Sequence, residues 1–275
     1  MLATYHTHSS FCDGAMMPED YVQAAIRKGF SAIGFTSHAP FFFDTGWTMK
    51  SEKLSEYIGT IKELKEKYKN RIQIYTGLET DFYPDSRDFR DYPGIDYTIG
   101  SVHFIYDEKN DRYLTVDGPP DEFRELLGSV FGGNARALVE TYYNQLVEMI
   151  RTQPPDIAGH LDVIKKNNAG NEYFDETEIW YRNKVEEVLC IIREKNITVE
   201  INTGGISRGY TAEMYPSEWI LKLIREMDIP VVLNSDAHHP DWIDSYYSEA
   251  LKILKRLGFS HQRVLYNGRW QNVLL

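Results

Sequence analysis

Short apolar runs in this chain repeatedly end in a histidine or a carboxylate. A His6-Thr7-His8 pair lies near the start, and the residues that close the later runs are His38, Glu79, His103, His160, Asp236 and His238. Imidazole and carboxylate groups are common ligands of first-row metal ions. Because a parallel barrel places its active site at the carboxyl ends of its strands, this pattern predicts a barrel with a metal site at one end.

Strand-like and helix-like segments alternate along the whole chain. Pro18 stands at the first turn of one predicted helix and Gly29 follows its end. Continuous alternation of this kind favours a parallel sheet. An open doubly wound sheet binds its ligand chiefly at one switch point, whereas candidate ligands here follow nearly every strand. The sequence therefore predicts an α/β fold: a distorted, TIM-barrel-like, seven-stranded (β/α)7 barrel in a single domain over residues 1–275.

Two segments stand outside this alternation. Residues 104–118 are predicted to form an inserted hairpin or loop. Residues 262–273 are predicted to form a C-terminal hairpin, with Asn267-Gly268 as its turn. The first strand is expected at Leu2–His6, and the last helix at Trp242–Leu257.

Composition narrows the classes of function. The formal net charge of −11 argues against a nucleic-acid partner, because phosphate backbones require a basic face. It allows a small anionic substrate, since bound cations can reverse the field inside a pocket. No run approaches the roughly 20 apolar residues of a membrane span, so no membrane association is expected. Two cysteines give no disulfide framework and suit a reducing compartment, which predicts a cytoplasmic protein.

The candidate metal ligands are numerous enough to form more than one ion site. In a His6-Thr7-His8 strand both imidazoles would face the same side. The full set of candidates is His6, His8, Asp13, His38, Glu79, His103, His160, Asp236 and His238. One tetrahedral zinc takes four ligands, so the set suits two or three ions that share carboxylates. Cys12 is better explained as a small buried residue, and His239 and His261 as surface or supporting residues.

The motifs around these residues resemble those of the polymerase-and-histidinol-phosphatase (PHP) superfamily, most closely its histidinol-phosphate phosphatase branch. The matching segments run from residue 6 to residue 238. They are His6-Thr-His8, Phe-Cys-Asp13-Gly, Thr-Ser-His38, Gly-Leu-Glu79, Gly-Ser-Val-His103, Gly-His160-Leu-Asp162, Glu-Ile-Asn202-Thr and Asn-Ser-Asp236-Ala-His238.

The resemblance implies a trinuclear site at the carboxyl ends of the strands. His6, His8, Glu79 and Asp236 would hold the first ion. Glu79 would bridge to the second, which His103 and His160 complete. Asp13, His38 and His238 would hold the third. The residue types accept Zn, Mn or Fe, so two to three divalent ions are expected without a choice of metal.

Other residues are candidates for binding or protonating a substrate. Arg208, in a glycine-containing loop that starts at Asn202, offers the two-pronged donor set that suits phosphate. Asp162 is a candidate either to protonate the leaving alkoxide or to orient a metal ligand. Phe42 and Trp47 follow His38 and are candidates to cover the substrate, with simple packing over the barrel rim as the alternative. Lys165 and Lys166 are expected to be solvated.

Together these features predict a metal-dependent phosphomonoesterase. Two adjacent ions lower the pKa of a bridging water, and the resulting hydroxide would attack phosphorus. The family branch implies L-histidinol phosphate as the small phosphorylated substrate, within histidine biosynthesis. The alternatives are a PHP-type phosphatase or phosphodiesterase for another phosphoester, such as phosphotyrosine or a nucleotide, and a non-catalytic metal-binding module. The sequence leaves the oligomeric state open.

Overall fold

The computed structural model describes residues 1–83, 86–90 and 92–275. In these ranges the strands are β1 (Ala3–Thr4), β2 (Ala32–Phe35), β3 (Gln73–Asp81), β4 (Tyr97–Ser101), β5 (Phe104–Asp107), β6 (Arg112–Thr115), β7 (Ile157–Ala158), β8 (Thr198–Asn202), β9 (Val231–Asn234), β10 (His261–Tyr266) and β11 (Arg269–Leu274). The α helices are α1 (Pro18–Arg27), α2 (Leu54–Tyr68), α3 (Pro120–Ser129), α4 (Ala135–Thr152), α5 (Ile179–Lys195), α6 (Gly204–Ser207), α7 (Glu218–Glu226) and α8 (Tyr247–Arg256). Short 3-10 helices occupy Ser51–Lys53, Val163–Asn167, Ala169–Asn171 and Pro240–Trp242.

Within the described residues, seven parallel strands form one sheet in the order β1-β2-β3-β4-β7-β8-β9. Its two edges meet just beyond β1 and β9, where Thr7 forms a parallel bridge with Ala237. The amide of His8 donates to the carbonyl oxygen of Ala237 at 3.0 Å. The amide of Tyr5 donates to Oδ1 of Asn234 at 2.7 Å. The sheet is therefore a nearly closed barrel, and the predicted fold class is confirmed.

Burial explains why these segments become barrel strands and covering helices. Every residue of β2, β4, β8 and β9 is buried, as expected for parallel strands that are covered on both faces. Helix α1 begins at Pro18 and places Glu19 and Asp20 in its first turn, where the helix dipole favours negative charge. The same helix buries Tyr21 and Val22 against the sheet.

A cluster of buried hydrophobic residues packs the barrel interior against the C-terminal hairpin of β10 and β11. The Tyr5 hydroxyl donates to the carbonyl of Leu265 at 2.8 Å, and the Tyr97 hydroxyl donates to the carbonyl of Tyr5. A Cβ atom on Gly34 would lie 2.1 Å from the Tyr97 hydroxyl oxygen, and one on Gly77 would lie 2.6 Å from Cζ of the Tyr97 ring. The hairpin thus covers the aromatic end of the interior, opposite the strand ends that carry the polar residues.

Several element boundaries differ from the prediction. Strand β1 comprises two residues, because the chain beyond Thr4 continues through isolated contacts to its neighbours. The helix predicted from Trp242 begins at Tyr247, after a 3-10 turn and a left-handed Tyr246 with a φ of 60°. Strands β5 and β6 pair antiparallel inside the segment 104–118. No helix among the described residues is long and apolar enough to cross a membrane.

Candidate metal centre

The strand ends bring most of the predicted ligands into one buried cluster. His6 and His8 follow β1, His38 follows β2, and Glu79 lies on β3. His103 follows β4, His160 follows β7, and Asp236 and His238 follow β9. All of these are buried except His238, which is partly exposed; Asp13, in the loop between β1 and α1, is exposed.

A first group of ligand atoms has spacings close to those around a shared ion. His6 Nε2 lies 3.1 Å from His8 Nε2 and 3.2 Å from Glu79 Oε2. His8 Nε2 lies 3.4 Å from the same Glu79 oxygen. Asp236 Oδ1 lies 3.2 Å from His8 Nε2 and 3.7 Å from His6 Nε2. Four ligands about 2.0–2.1 Å from a tetrahedral ion would be about 3.3–3.4 Å from one another.

A second group forms around the other oxygen of Glu79. Glu79 Oε1 lies 2.9 Å from His160 Nε2 and 3.7 Å from His103 Nε2. The two imidazole nitrogens are 3.3 Å apart. Ser101 donates its hydroxyl to the same carboxylate oxygen at 2.9 Å. Glu79 therefore presents one oxygen to each group, which is the geometry of a bridging carboxylate.

A third group lies on the more exposed side of the cluster. His8, Asp13, His38 and His238 each offer a ligand atom within 4.8 Å of the others. His238 Nε2 is 3.1 Å from Asp13 Oδ2, and His38 Nε2 is 4.0 Å from the same oxygen. Arg208 Nη1 donates to His238 Nδ1 at 2.8 Å, so a neutral His238 carries its proton on Nε2 and donates it to Asp13 Oδ2. The predicted third ligand set is thus brought together, with His8 beside it.

Missing hydrogen-bond partners in the cluster also indicate divalent cations, independently of the distances between ligand atoms. Glu79 Oε2 is buried and has three imidazole nitrogens 3.1–3.4 Å away, from His6, His8 and His38. None of these contacts has hydrogen-bond geometry, and the oxygen has no hydrogen-bond partner among the described residues. His38 Nδ1 is likewise buried without one. A buried carboxylate oxygen facing nitrogen atoms that do not donate to it is costly unless a cation lies between them.

Electrostatics keep the carboxylates of the cluster ionised. Burial opposes this, but the neighbouring imidazoles of His38 and His6 hold the pKa of Glu79 well below its usual range, and the Arg208 guanidinium does so for Asp236. Burial lowers the pKa of His38 to about 3, so this imidazole is neutral at pH 7. Burial also acts on His103, but the Asp81 carboxylate raises its pKa to about 10. The pKa values of His6 and His8 are raised as well, because nearby acidic groups outweigh burial. Ionised carboxylates and neutral imidazoles are the forms that bind metals, so cation binding is coupled to proton release at these histidines.

Two buried carboxylates that the sequence reasoning missed orient the ligand histidines. His103 donates through Nδ1 to Asp81 Oδ1 at 2.6 Å, and His6 donates through Nδ1 to Glu200 Oε1 at 2.6 Å. Ligand histidines usually make such a bond, which fixes the ring and its tautomer. Alternation along β3 and β8 was the available signal, because Asp81 shares a strand face with Glu79 and Glu200 shares one with Asn202.

A cavity of about 870 Å³ opens over the three groups. Its described wall includes the aromatic side chains of Phe43, Trp47 and Tyr210 and the carboxylates of Asp117 and Glu122. Arg208 and Lys166 are its cationic side chains among the described residues. Asp117 was another residue missed from the sequence. The cavity therefore joins a cluster rich in ligand atoms to a wall that is partly aromatic and partly acidic.

The predicted substrate contacts divide into those inside and those outside this cavity. Arg208 and Trp47 line it. Trp47 stacks on Phe104 with ring centroids 5.3 Å apart and meets His38 edge-on. Phe42 lies outside the wall, 64% exposed, and packs on Phe41 and other aromatic rings.

Asn202 and Asp162 are both fully buried and lie outside the cavity wall. Asn202 donates to Glu200 and Asp236 and accepts from the amide of Gly204. Asp162 accepts from the amide and hydroxyl of Ser217. The substrate contact of Asn202, and the choice between a protonating and an orienting role for Asp162, stay predictions.

The lysine pair was also predicted incorrectly in part. Lys165 is buried rather than solvated, with its ammonium 3.0 Å from Asp162 Oδ2. Lys166 lines the cavity, donates to the backbone carbonyl of Asp117 and is partly exposed. Burial of Lys165 follows from tertiary packing, because its partner Ser217 lies on a different loop.

Comparison with known proteins identifies the family. The family model described as "PHP domain" matches residues 4–204. The histidinol-phosphatase of Bacillus subtilis is 30% identical over 266 residues, covering 90% of this chain and 97% of that protein.

Two solved structures share the fold. A protein of Listeria monocytogenes has a TM-score of 0.78 at 23% identity, covering 90% of this chain and 99% of that chain. The histidinol phosphate phosphatase of Lactococcus lactis, solved with zinc, L-histidinol and phosphate, has a TM-score of 0.66 at 23% identity and covers 98% of both chains. The family resemblance of the motifs is confirmed: the chain belongs to the PHP family, in its histidinol-phosphatase branch.

Proposed function

We propose that this protein is a metal-dependent phosphomonoesterase that hydrolyses L-histidinol phosphate to L-histidinol and phosphate. The observation that carries the proposal is Glu79, whose two carboxylate oxygens each face a separate group of imidazole nitrogens. Similarity over nearly the full length to the histidinol-phosphatase of Bacillus subtilis supports the choice of substrate. We further propose that residues 1–275 form one hydrolase domain, with the β5–β6 hairpin as an insertion.

The three groups assign the proposed ions to residues. His6, His8, Glu79 and Asp236 would hold the first; Glu79, His103 and His160 would hold the second; Asp13, His38 and His238 would hold the third. Zn, Mn and Fe all suit these ligands. Such ions lower the pKa of a bound water to supply a hydroxide nucleophile, and they neutralise charge on the phosphoryl oxygens.

Arg208 is the side chain proposed to bind the phosphoryl group. Its Nη1 donates to the Asp236 carbonyl at 2.8 Å, and its Nη2 donates to Asp236 Oδ2 at 2.9 Å. A guanidinium has five N–H donors, so it can hold Asp236 and still donate to a phosphoryl oxygen in the cavity. The residue thereby links a proposed metal ligand to the substrate.

The remainder of the cavity wall suits the organic half of histidinol phosphate. Trp47 and Phe43 provide aromatic faces for an imidazole ring. Asp117 and Glu122 provide negative charge for an ammonium group. The pKa of Asp117 is lowered: burial opposes this, but the charges of His103 and Lys166 keep the carboxyl ionised. A phosphate ester whose organic half is cationic and aromatic is therefore favoured.

The test is hydrolysis by purified protein that has been stripped with EDTA and reloaded separately with Zn, Mn or Fe. Phosphate release from L-histidinol phosphate is compared with release from phosphotyrosine, nucleoside monophosphates and a phosphodiester. We expect the highest kcat/KM for L-histidinol phosphate, and loss of activity after EDTA and in His8→Ala. His261→Ala, an exposed histidine of β10, is the matched control and should retain activity.

Two results would refute parts of this proposal. A strong preference for another ester would refute the assigned substrate while leaving the metal-dependent phosphatase intact. Undiminished turnover after chelation, or in His8→Ala, would refute the metal-dependent mechanism.

A further inference from the structure

Glu200 on β8 is a buried carboxylate that contacts four different groups from four parts of the barrel. Its Oε1 accepts from His6 Nδ1 at 2.6 Å and from Asn234 Nδ2 at 2.9 Å. Its Oε2 accepts from the backbone amide of His160 at 2.9 Å and from Asn202 Nδ2 at 3.0 Å. The residue is fully buried and lies outside the cavity wall, so it has no route to a substrate.

These bonds reach both of the ion groups that share Glu79. His6 belongs to the first group, and its Nδ1–H bond to Glu200 leaves Nε2 as the lone pair facing Glu79 and Asp236. Asn202 extends the network to the first group again, because its amide also donates to Asp236 Oδ2 at 3.2 Å. The imidazole of His160 belongs to the second group. The bond from its backbone amide to Glu200 holds the chain just after β7.

Asp81 provides a comparison within the same barrel. Its Oδ1 accepts from both Nδ1 and the amide of His103, at 2.6 and 3.2 Å. Through these bonds it supports one histidine, which belongs to the second group. Asp81 thus supports a single ion group, whereas Glu200 contacts both.

We propose that Glu200 is a positioning residue that holds the first and second ion groups in their metal-binding geometry together. The inference rests on the proposed function only in taking those groups as metal sites. All four of its contacts are donors, and a carboxylate is the side chain that can accept from all of them. An isosteric glutamine has one acceptor oxygen and one NH2 group. Its NH2 group would therefore face N–H donors that now bond to a carboxylate oxygen.

The consequence for Glu200→Gln follows from the fixed donors. The backbone N–H of His160 cannot reverse, so the glutamine oxygen should turn toward it and the NH2 toward His6. His6 would then accept through Nδ1 and carry its proton on Nε2, the atom that faces the first group. The substitution therefore removes a lone pair from one group and loosens the network that supports the other.

The experiment is a titration with ZnCl2 of EDTA-stripped protein carrying 15N-labelled histidine, in the wild type, Glu200→Gln and Asp81→Asn. The ring nitrogen signals of His6 report the first group, and those of His103 and His160 report the second. Bound zinc is counted separately by mass spectrometry of the metal. Loss of a residue that orients a ligand typically weakens metal affinity by about 10- to 100-fold.

We expect Glu200→Gln to require about 10- to 100-fold more free zinc at both groups, and Asp81→Asn to do so at the second group alone. Loss at the first group alone, or unchanged affinity in a folded Glu200→Gln protein, would overturn the proposal. If the variant does not fold, the zinc-loaded wild type decides: a proton on His6 Nδ1 with zinc at Nε2 supports the role, and the opposite tautomer overturns it. No phosphoester is present, so a wrong substrate assignment would leave these results unchanged.

Discussion

Replacing Lys165 with methionine should destabilise the protein by about 3–5 kcal/mol, the usual cost of breaking a buried ion pair by removing one partner. The lysine is 6% exposed, and Asp162 is fully buried. The Lys165 ammonium lies 3.0 Å from Asp162 Oδ2. It donates to Ser217 Oγ at 2.5 Å and to the Met214 carbonyl at 3.2 Å. Methionine keeps much of the aliphatic stem, so the loss is mainly that of the charge and its hydrogen bonds.

The expected cost converts to a measurable shift in thermal unfolding. For chains of this size, each 1 kcal/mol lowers Tm by about 2–4 °C, so Lys165→Met should unfold roughly 6–20 °C earlier. Circular dichroism of metal-free protein measures this without a contribution from ion binding. The double variant Lys165→Met, Asp162→Asn removes the uncompensated charge and should recover part of the loss.

A shift below about 2 °C in Lys165→Met would refute this reasoning, because the ion pair would then contribute little. A double variant no more stable than the single one would refute it as well, since the cost would not come from the charge left on Asp162.

The pH dependence provides a further check on the same pair. Burial opposes ionisation, but the charges of Asp162 and Glu213 raise the pKa of Lys165 above 10.5. A raised lysine pKa gives stability that is complete below the unfolded value of about 10.4 and is lost as pH rises through the folded value. The stability difference between wild type and Lys165→Met should therefore be constant near neutral pH and decrease above about pH 10.

Further predictions concern the cavity. Glu79→Gln should lower kcat and reduce bound zinc, because an amide cannot supply an oxygen to both groups; full zinc content would contradict the bridging role. Arg208→Lys should lower kcat/KM for L-histidinol phosphate by about 10- to 150-fold, equivalent to one charge-assisted hydrogen bond of about 1.5–3 kcal/mol, and steady-state kinetics will measure it. Trp47→Ala should raise KM by about 2- to 12-fold, equivalent to about 0.5–1.5 kcal/mol of aromatic contact, whereas Phe42→Ala should change it less than about twofold. Equal effects of these two substitutions would contradict the different positions of the two rings.

The alternation of strands and helices was predictable because it depends on local patterns. Buried parallel strands read as apolar runs, and Pro18 and Asn267-Gly268 signal a helix start and a turn within a few residues. Strand ends in a parallel barrel meet at one rim, so polar residues after the strands could be predicted to converge. This reasoning extends to His6, Glu79 and Asp236, which lie on or after three different strands and meet in one group.

Residues that act through a partner distant in the sequence were harder to predict. Lys165 looked like half of a solvated pair, because the sequence does not show Ser217 and Asp162 closing around its ammonium. Phe42 and Trp47 are five positions apart in one loop, yet only Trp47 faces the cavity. A loop has no fixed side-chain period, so neighbouring positions carry no information about direction.

The sequence by itself determined the chemistry of the cluster and the rim on which it lies, since both follow from residue type and strand period. Residue types did not divide the ligands into groups: the family resemblance implied the division, and tertiary structure alone decided its geometry, with Glu79 presenting one oxygen to each of two groups. It also decided that Glu200 supports His6 and His160 from beneath, although 194 and 40 residues separate them along the chain. The physical reason is that a carboxylate's role depends on which donors reach its two oxygens, and barrel closure brings those donors from distant strands.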